Sequence, residues 1–285
     1  MLKLCNQGYL KQMDTNSSQK VVVVTVVYNG EKTLESTITS VLSQTYTNIS
    51  YIIIDGGSTD NSVNIIRKYE QQLFYWISEK DSGIFNAMNK AVRLIKDPES
   101  YVCFINSDDY FCTKRSVAEM IANSDNCDFI YGKVIKTAPG YNYVSGWEMN
   151  LRMLAEKHVN HQAVFTKRYV FDKIGLFSER YRINSDHEFI VKVFRDSSLS
   201  KRFIPNTVST MRTGGISHER NFLSIYERLN ITREYFPAHI YITQCIQSST
   251  MLPRLCFRLI LKKTGLIYLW RIIKSLFQPL PIGGN

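Results

Sequence analysis

Seven consecutive β-branched residues, VVVVTVV at positions 21–27, constrain the fold more than any other stretch. Such side chains are stiff about χ1 and pack well on a pleated surface. A strand without polar alternation must bury both faces, as in a parallel sheet covered by helices on both sides. The run ends at Tyr28-Asn29-Gly30, and EKTLESTITSVLSQ then places Leu34, Ile38, Val41 and Leu42 on one helical face. YIIIDGGSTD reads as a second buried strand with a glycine-rich exit, and Ser58 or Thr59 is expected to cap a helix from Asp60. GIFNAMNKAVRLI carries a helical stripe of Ile84, Ala87, Met88, Ala91, Val92 and Ile95, while YVCFI and DFIYGKV read as further strands. Alternating strands and helices over the first ~130 residues predict an α/β domain with a mostly parallel, Rossmann-like sheet flanked by helices.

In such sheets ligands bind beyond the carboxyl ends of the strands. Three polar clusters fall there: Tyr28-Asn29-Gly30, Asp55-Gly56-Gly57-Ser58 and Asn106-Ser107-Asp108-Asp109. Adjacent carboxylates at the end of a buried strand are unfavourable unless something positive meets them. A metal ion, a lysine pair or a solvated turn would each account for the pair.

The net charge of +10 allows a nucleic-acid, anionic-membrane or anionic small-molecule partner. No basic stripe is interleaved with aromatics in the α/β part, so no nucleic-acid partner is expected. Neither G-x-x-x-x-G-K-[ST] nor G-x-G-x-x-G is present, which argues against a P-loop ATPase and a dinucleotide dehydrogenase. The six cysteines show no C-x-x-C spacing and are expected to be free thiols in a cytoplasmic protein. The N-terminal residues lack a signal-peptide core, and no run of about 18 apolar residues spans a membrane.

Four segments in order, VVTVVYNGEKTLESTITSVLSQTY, YIIIDGGSTDNS, SEKDSGIFNAMNKAV and FINSDDYF, resemble glycosyltransferase family 2, which has the GT-A fold. The resemblance covers residues 20–215, and the D-S-G-I-F-N-A-M-N-K segment is similar to bacterial members that build capsule, lipopolysaccharide and exopolysaccharide. It implies a nucleotide-diphosphate sugar donor, UDP-linked in preference, and a divalent metal, Mn²⁺ or Mg²⁺. A metal bridging the pyrophosphate offsets charge on the leaving group, and hard oxygen ligands suit these ions. By resemblance Asp109 is the metal ligand, and Asp108 the ribose or second metal contact. Asn106 stands where the family often has an acid. Asp55 is implied to accept an N–H from the base, and a turn-forming residue is its alternative role. Tyr28 and Asn29 would contact the nucleotide-sugar, with Tyr28 stacking on the base, and Asp81 would meet base or ribose. Asp60 reads as a helix N-terminal acid and Lys90 as an exposed helix residue.

On the acceptor side the resemblance makes Asp186, in RINSDHEFIVKVF, the general base, with Glu188 the fallback and a helix cap the alternative. His161-Gln162 matches a segment of relatives, as structural hydrogen-bonder or ligand. His218 would return toward the metal. The tail PRLCFRLILKKTGLIYLWRIIKSLF carries six basic residues and no acid. It reads as a helix pair on an anionic membrane surface, or as a helix packed on the domain, or as a homodimer contact.

The expected organisation is a polar arm over 1–19, a catalytic domain over 20–215 divided near 135, and a helical basic extension over 216–285. The expected activity is inverting transfer to a glycan acceptor, lipid-linked in preference, in surface polysaccharide synthesis at the inner face of the membrane. A sugar nucleotidyltransferase and a non-enzymatic basic adaptor are the rivals.

Overall fold

The computed structural model describes residues 19–138, 140–212 and 221–249. His218 and the basic tail from residue 250 lie outside the described residues, as does the N-terminal arm through residue 18. Two compact units divide the chain, Met1–His218 and Glu219–Asn285.

In the first unit, strands β1 (Val21–Val27), β2 (Ile49–Asp55), β3 (Tyr75–Ser78) and β4 (Tyr101–Phe104) lie in the order β3-β2-β1-β4, all parallel. Every residue of β1 is buried, as an unalternating β-branched run requires. Helices α1 (Leu34–Leu42), α2 (Ser62–Tyr69) and α3 (Ile84–Leu94) make the crossovers. Chain order reverses between β1 and β4, so the loops after these strands diverge and leave a crevice at their carboxyl ends.

Beyond β4 the sheet becomes mixed. β8 (Val164–Lys167) pairs antiparallel with β4 and with β6 (Phe129–Ala138). β9 (Lys201–Arg212) runs parallel to β6, and short β5 (Tyr110–Phe111) pairs antiparallel with β9. β7 (Tyr141–Ser145) is an edge strand on β6. The parallel arrangement read from the sequence therefore describes the first half of the sheet. The β6–β9 ladder shifts register around Gly132, where an added Cβ would meet the Asn206 carbonyl oxygen at 2.8 Å. Only glycine permits that approach of backbone to backbone.

Helices α4 (Ser116–Ala122), α5 (Leu151–Leu154), α6 (Arg168–Ile174) and α7 (Ser185–Arg195) complete this unit. Phe104, Phe171, Phe177 and Phe189 pack between α3, α6 and α7, with Phe171 stacked on Phe189 at 4.6 Å between centroids. The GIFNAMNK segment fixes this cluster. Buried Asn89 donates to the Phe177 carbonyl at 2.8 Å and accepts from the Phe177 N–H at 3.0 Å. Glu179, two residues on, accepts from Ser82 and from Asn86. In the second unit, α8 (Asn221–Tyr235) ends just before Pro237, and residues 238–249 are helical again. Buried Thr232 and Gln244 are hydrogen-bonded at 3.1 Å between those two helices.

Asn89→Ala leaves both backbone groups of Phe177 unpaired under the surface. The expected cost is about 3 kcal/mol in urea unfolding. A loss indistinguishable from zero would show that the clamp does not hold the loop.

Candidate active site

The loops after β1 and β2 are laced together. Asn29 takes a left-handed backbone, φ 53°, which asparagine tolerates. Its N–H donates to Ser58 Oγ, and its Oδ1 accepts from the Thr59 N–H, both at 2.8 Å. Asp60 accepts from the N–H groups of Glu31 and Ser62, each at 3.0 Å, so it serves the start of α2 as expected. Ser58 and Thr59 do not cap that helix. Ser58 is engaged by Asn29 and Asp55, and α2 starts later, at Ser62. Tyr28 stands 64% exposed above this scaffold, leaving its ring face open.

Asp55 is fully buried, and its own neighbourhood occupies it. The N–H groups of Gly57 and Ser58 and the Ser78 hydroxyl all donate to Oδ2, and the Ser58 hydroxyl donates to Oδ1. The carboxylate shapes the turn, which is the alternative role, and base binding does not follow from this geometry. Asp81 is the carboxylate at this end of the sheet with an oxygen to spare. Its Oδ1 accepts from the Gly83 N–H at 2.9 Å. Its Oδ2 accepts no hydrogen bond among the described residues and lies 2.5 Å from where a Cβ on Gly56 would sit. Lys90 is not a free surface residue: it pairs with Glu79 at 2.7 Å.

Asp108 and Asp109, adjacent in sequence, occupy different environments. Asp109 is 1% exposed, which excludes a solvated turn. Its Oδ2 accepts from the Gln162 amide at 2.9 Å and its Oδ1 from the Arg212 N–H at 3.3 Å. Burial and the charge of Asp108 push the Asp109 carboxyl up to about 7. Asp108 is half-buried, and burial raises it as well. The expectation gave Asp109 the metal. At 1% exposed Asp109 presents little surface to the crevice, and the half-buried Asp108 is the more accessible of the two.

The residues present fit a divalent cation in a limited sense. Asp108 offers hard oxygen, and the nearby Asn106 Oδ1 is buried with no partner among the described residues. No group of three His, Cys, Asp or Glu side chains forms a complete cage among those residues. That donor set suits an ion completing its shell with water and substrate phosphate.

Across the crevice, Asp186 opens α7. Its Oδ2 lies 2.8 Å from His161 Nδ1, and its Oδ1 accepts from the His187 N–H at 2.8 Å. Burial acts to raise this carboxyl, but the bond and charge of His161 outweigh it and hold the group below its ordinary range. Burial acts to lower His161, and Asp186 reverses that, with help from Asp109 and Asp108. Glu188, the fallback base, is 1% exposed and paired with Arg180 at 2.7 Å and Lys192 at 3.4 Å.

The structure thus gathers Asp108, Asp109, His161, Gln162 and Asp186 around one crevice, with Asp81 and Tyr28 on the β1–β3 side. Arg212 was missed. At the end of β9, a strand the sequence pattern hid, its guanidinium lies over the Tyr110 ring at 5.5 Å and its N–H meets Asp109. Glu179 was missed too, since no motif carries it.

The sequence profile described as glycosyl transferase family 2 matches residues 22–140. A glycosyltransferase of Mycobacterium tuberculosis without an assigned role is 30% identical over 183 residues, covering 62% of this chain and 69% of that protein. A "PGL/p-HBAD biosynthesis glycosyltransferase" of Mycobacterium bovis is 27% identical over 203 residues, covering 69% of this chain and 78% of that protein. Among solved structures, S. aureus TarS 1–349 in complex with UDP-GlcNAc superposes with a TM-score of 0.63 at 18% identity. That match covers 76% of this chain, and the chain spans 65% of the TarS fragment. The mannosyltransferase PcManGT from Pyrobaculum calidifontis, in complex with GDP-Man and Mn²⁺, superposes with a TM-score of 0.62 at 13% identity. That match covers 93% of this chain and 82% of PcManGT. The fold is that of a GT-A glycosyltransferase. The chain belongs to glycosyl transferase family 2.

The Asp109 carboxyl binds its proton more tightly folded, at about 7, than unfolded, at 3.8. Its stabilising contribution is complete below pH 3.8 and is lost as pH rises to about 7. Asn at this position does not titrate. The melting temperature of Asp109→Asn relative to wild type is therefore expected to climb between about pH 4 and pH 7. A difference that stays flat over that window would contradict the burial argument.

Proposed function

We propose that the chain is an inverting, metal-dependent glycosyltransferase using a nucleoside-diphosphate sugar, UDP-linked in preference. Its acceptor is a hydroxyl of a glycan, lipid-linked in preference, in surface polysaccharide synthesis. One observation carries this reading: a carboxylate kept ionised by a histidine, Asp186, faces the Asp108–Asp109 pair across the crevice of a family 2 fold. The TarS complex with UDP-GlcNAc supports the donor class. The PcManGT complex with GDP-Man and Mn²⁺ supports the metal and leaves a guanine base open.

In this reading Asp108 holds Mn²⁺ or Mg²⁺. Bound there, the ion offsets the negative charge that develops on the departing diphosphate. Asp109 fixes the loop from beneath through Gln162 and Arg212. The Arg212 guanidinium supplies a second positive charge on the diphosphate side. Asp81 Oδ2 accepts an N–H from the base, and the open face of Tyr28 stacks on it. Asp186 takes the proton of the acceptor hydroxyl. That oxygen bonds to the anomeric carbon as the carbon–phosphate-oxygen bond breaks, and the electron pair leaves with the nucleoside diphosphate. One displacement gives one inversion.

No helix among the described residues is long and apolar enough to cross a membrane. Peripheral attachment at the inner face of the membrane rests on the composition of the basic tail, which also leaves a homodimer contact open. A metal contact by His218 rests on the sequence resemblance alone. A sugar nucleotidyltransferase has no support in the family match, and a non-enzymatic adaptor leaves the crevice without a purpose.

The test is nucleoside-diphosphate release from UDP-, GDP- and dTDP-sugars with Mn²⁺, Mg²⁺ or EDTA. Asp186→Asn is expected to reduce turnover about 10²- to 10⁴-fold with nucleotide affinity kept. Asp108→Ala is expected to abolish metal-dependent nucleotide binding. Full turnover in Asp186→Asn would remove it as the base.

Gly56→Ala tests the base contact separately. The new Cβ would meet Asp81 Oδ2 at 2.5 Å and push the carboxylate aside. Affinity for the free nucleoside diphosphate is expected to fall about tenfold, or 1.4 kcal/mol, with the melting temperature little changed. Unaltered affinity would take Asp81 out of the base site.

A further inference from the structure

We propose that His161 is the positioning residue for Asp186 and that, through Asn106, it ties the base to the loop carrying Asp108 and Asp109. The inference rests on the reading of Asp186 as the base. His161 opens a single 3₁₀ turn, His161–Ala163, at the start of β8. Its two ring nitrogens reach opposite walls of the crevice: Nδ1 lies 2.8 Å from Asp186 Oδ2, and Nε2 lies 3.1 Å from Asn106 Nδ2. The next residue, Gln162, reaches Asp109 at 2.9 Å. Two consecutive side chains of one turn therefore hold Asp186, Asn106 and Asp109 at once. The turn itself is fixed, because Ser209 on β9 donates to the Gln162 carbonyl at 2.8 Å.

The Asn106 amide sets the ring. When its N–H donates to Nε2, the imidazole proton sits on Nδ1 and points at Asp186. Behind the pair lies a cavity of about 20 Å³ walled by Phe104, Phe171, Phe177 and Phe189. Apart from His161, Asp186 and Thr166 its lining is apolar, so the wall behind the His161–Asp186 bond lowers the local dielectric and strengthens that bond. Each oxygen of Asp186 then has one fixed donor, and the carboxylate has one orientation toward the crevice. The charged and titratable groups facing this pair are His187 on α7, with His158 against its ring, and Asp108 and Asp109 on the opposing loop.

The experiment uses the full chain and four proteins: wild type, His161→Ala, His161→Asn and Asp186→Asn. Nucleoside-diphosphate release is followed against pH with the donor found active in the panel of UDP-, GDP- and dTDP-sugars. UDP affinity in Mn²⁺ and melting temperature are measured alongside. His161→Ala is expected to lower kcat about 10- to 100-fold, with UDP affinity within about twofold of wild type. The acid limb of its rate profile should move to higher pH, because the carboxylate loses the partner that kept it ionised. His161→Asn places an amide N–H where Nδ1 stood and should recover much of the rate. Wild-type rate and an unmoved acid limb in His161→Ala, with Asp186→Asn inactive, would overturn the inference alone. A loss in His161→Ala with an unmoved acid limb and no recovery in His161→Asn would overturn it as well. Wild-type turnover in Asp186→Asn would instead overturn the reading it rests on.

Discussion

Two neighbouring carboxylates at the end of a buried strand coexist more readily if their environments differ, and the structure buries Asp109 while leaving Asp108 half-exposed. Asp109 points inward, where the Gln162 amide and the Arg212 N–H take its oxygens. Asp108 stays near the crevice, with burial raising its carboxyl. The inward residue fastens the loop, and in the proposed function the outward one meets the ligand. Repulsion between them is unfavourable in the empty protein, and a cation would relieve it. The rest of the site follows from that fastening: Gln162 brings His161 to the loop, and His161 brings Asp186.

The sheet makes this convergence possible. β1 and β4 are parallel neighbours, so their polar exits open side by side. The mixed half then returns three elements to the same place: the turn before β8, the start of α7 and the end of β9. Support comes from farther away. Asn89, in the middle of α3, clamps both backbone groups of Phe177, and Phe177 packs in the aromatic wall behind His161 and Asp186. The D-S-G-I-F-N-A-M-N-K segment therefore serves both sides of the crevice. Asp81 at its head lies against Gly56, and its asparagines hold the loop before Asp186.

The parallel half of the fold was legible because VVVVTVV and YIII can only be buried strands, and because 3.6-residue stripes mark α1 and α3. β3 and β9 were not legible. β3 is an edge strand whose outer residues Tyr75 and Ser78 are exposed, and β9 is interrupted by Pro205 and bulged against Gly132. At the site, residue types gave the carboxylates and their neighbourhood. They did not give the direction in which each carboxylate points, which depends on partners far off in sequence. Asp55 is the clearest case: its four hydrogen bonds come from its own turn and from Ser78 on β3, a strand the pattern did not reveal. Glu188 is another, since its pairing with Arg180 and Lys192 follows from burial on α7.

The most direct measurement is anomalous diffraction from Mn²⁺ in crystals of the protein with a nucleoside diphosphate. The account predicts a manganese peak about 2.1 Å from an oxygen of Asp108, the distance a hard divalent ion takes to a carboxylate. Asp109 would still be bonded to Gln162. A peak bonded to Asp109, with Gln162 displaced, would contradict the division of labour between the two carboxylates on which the site is built.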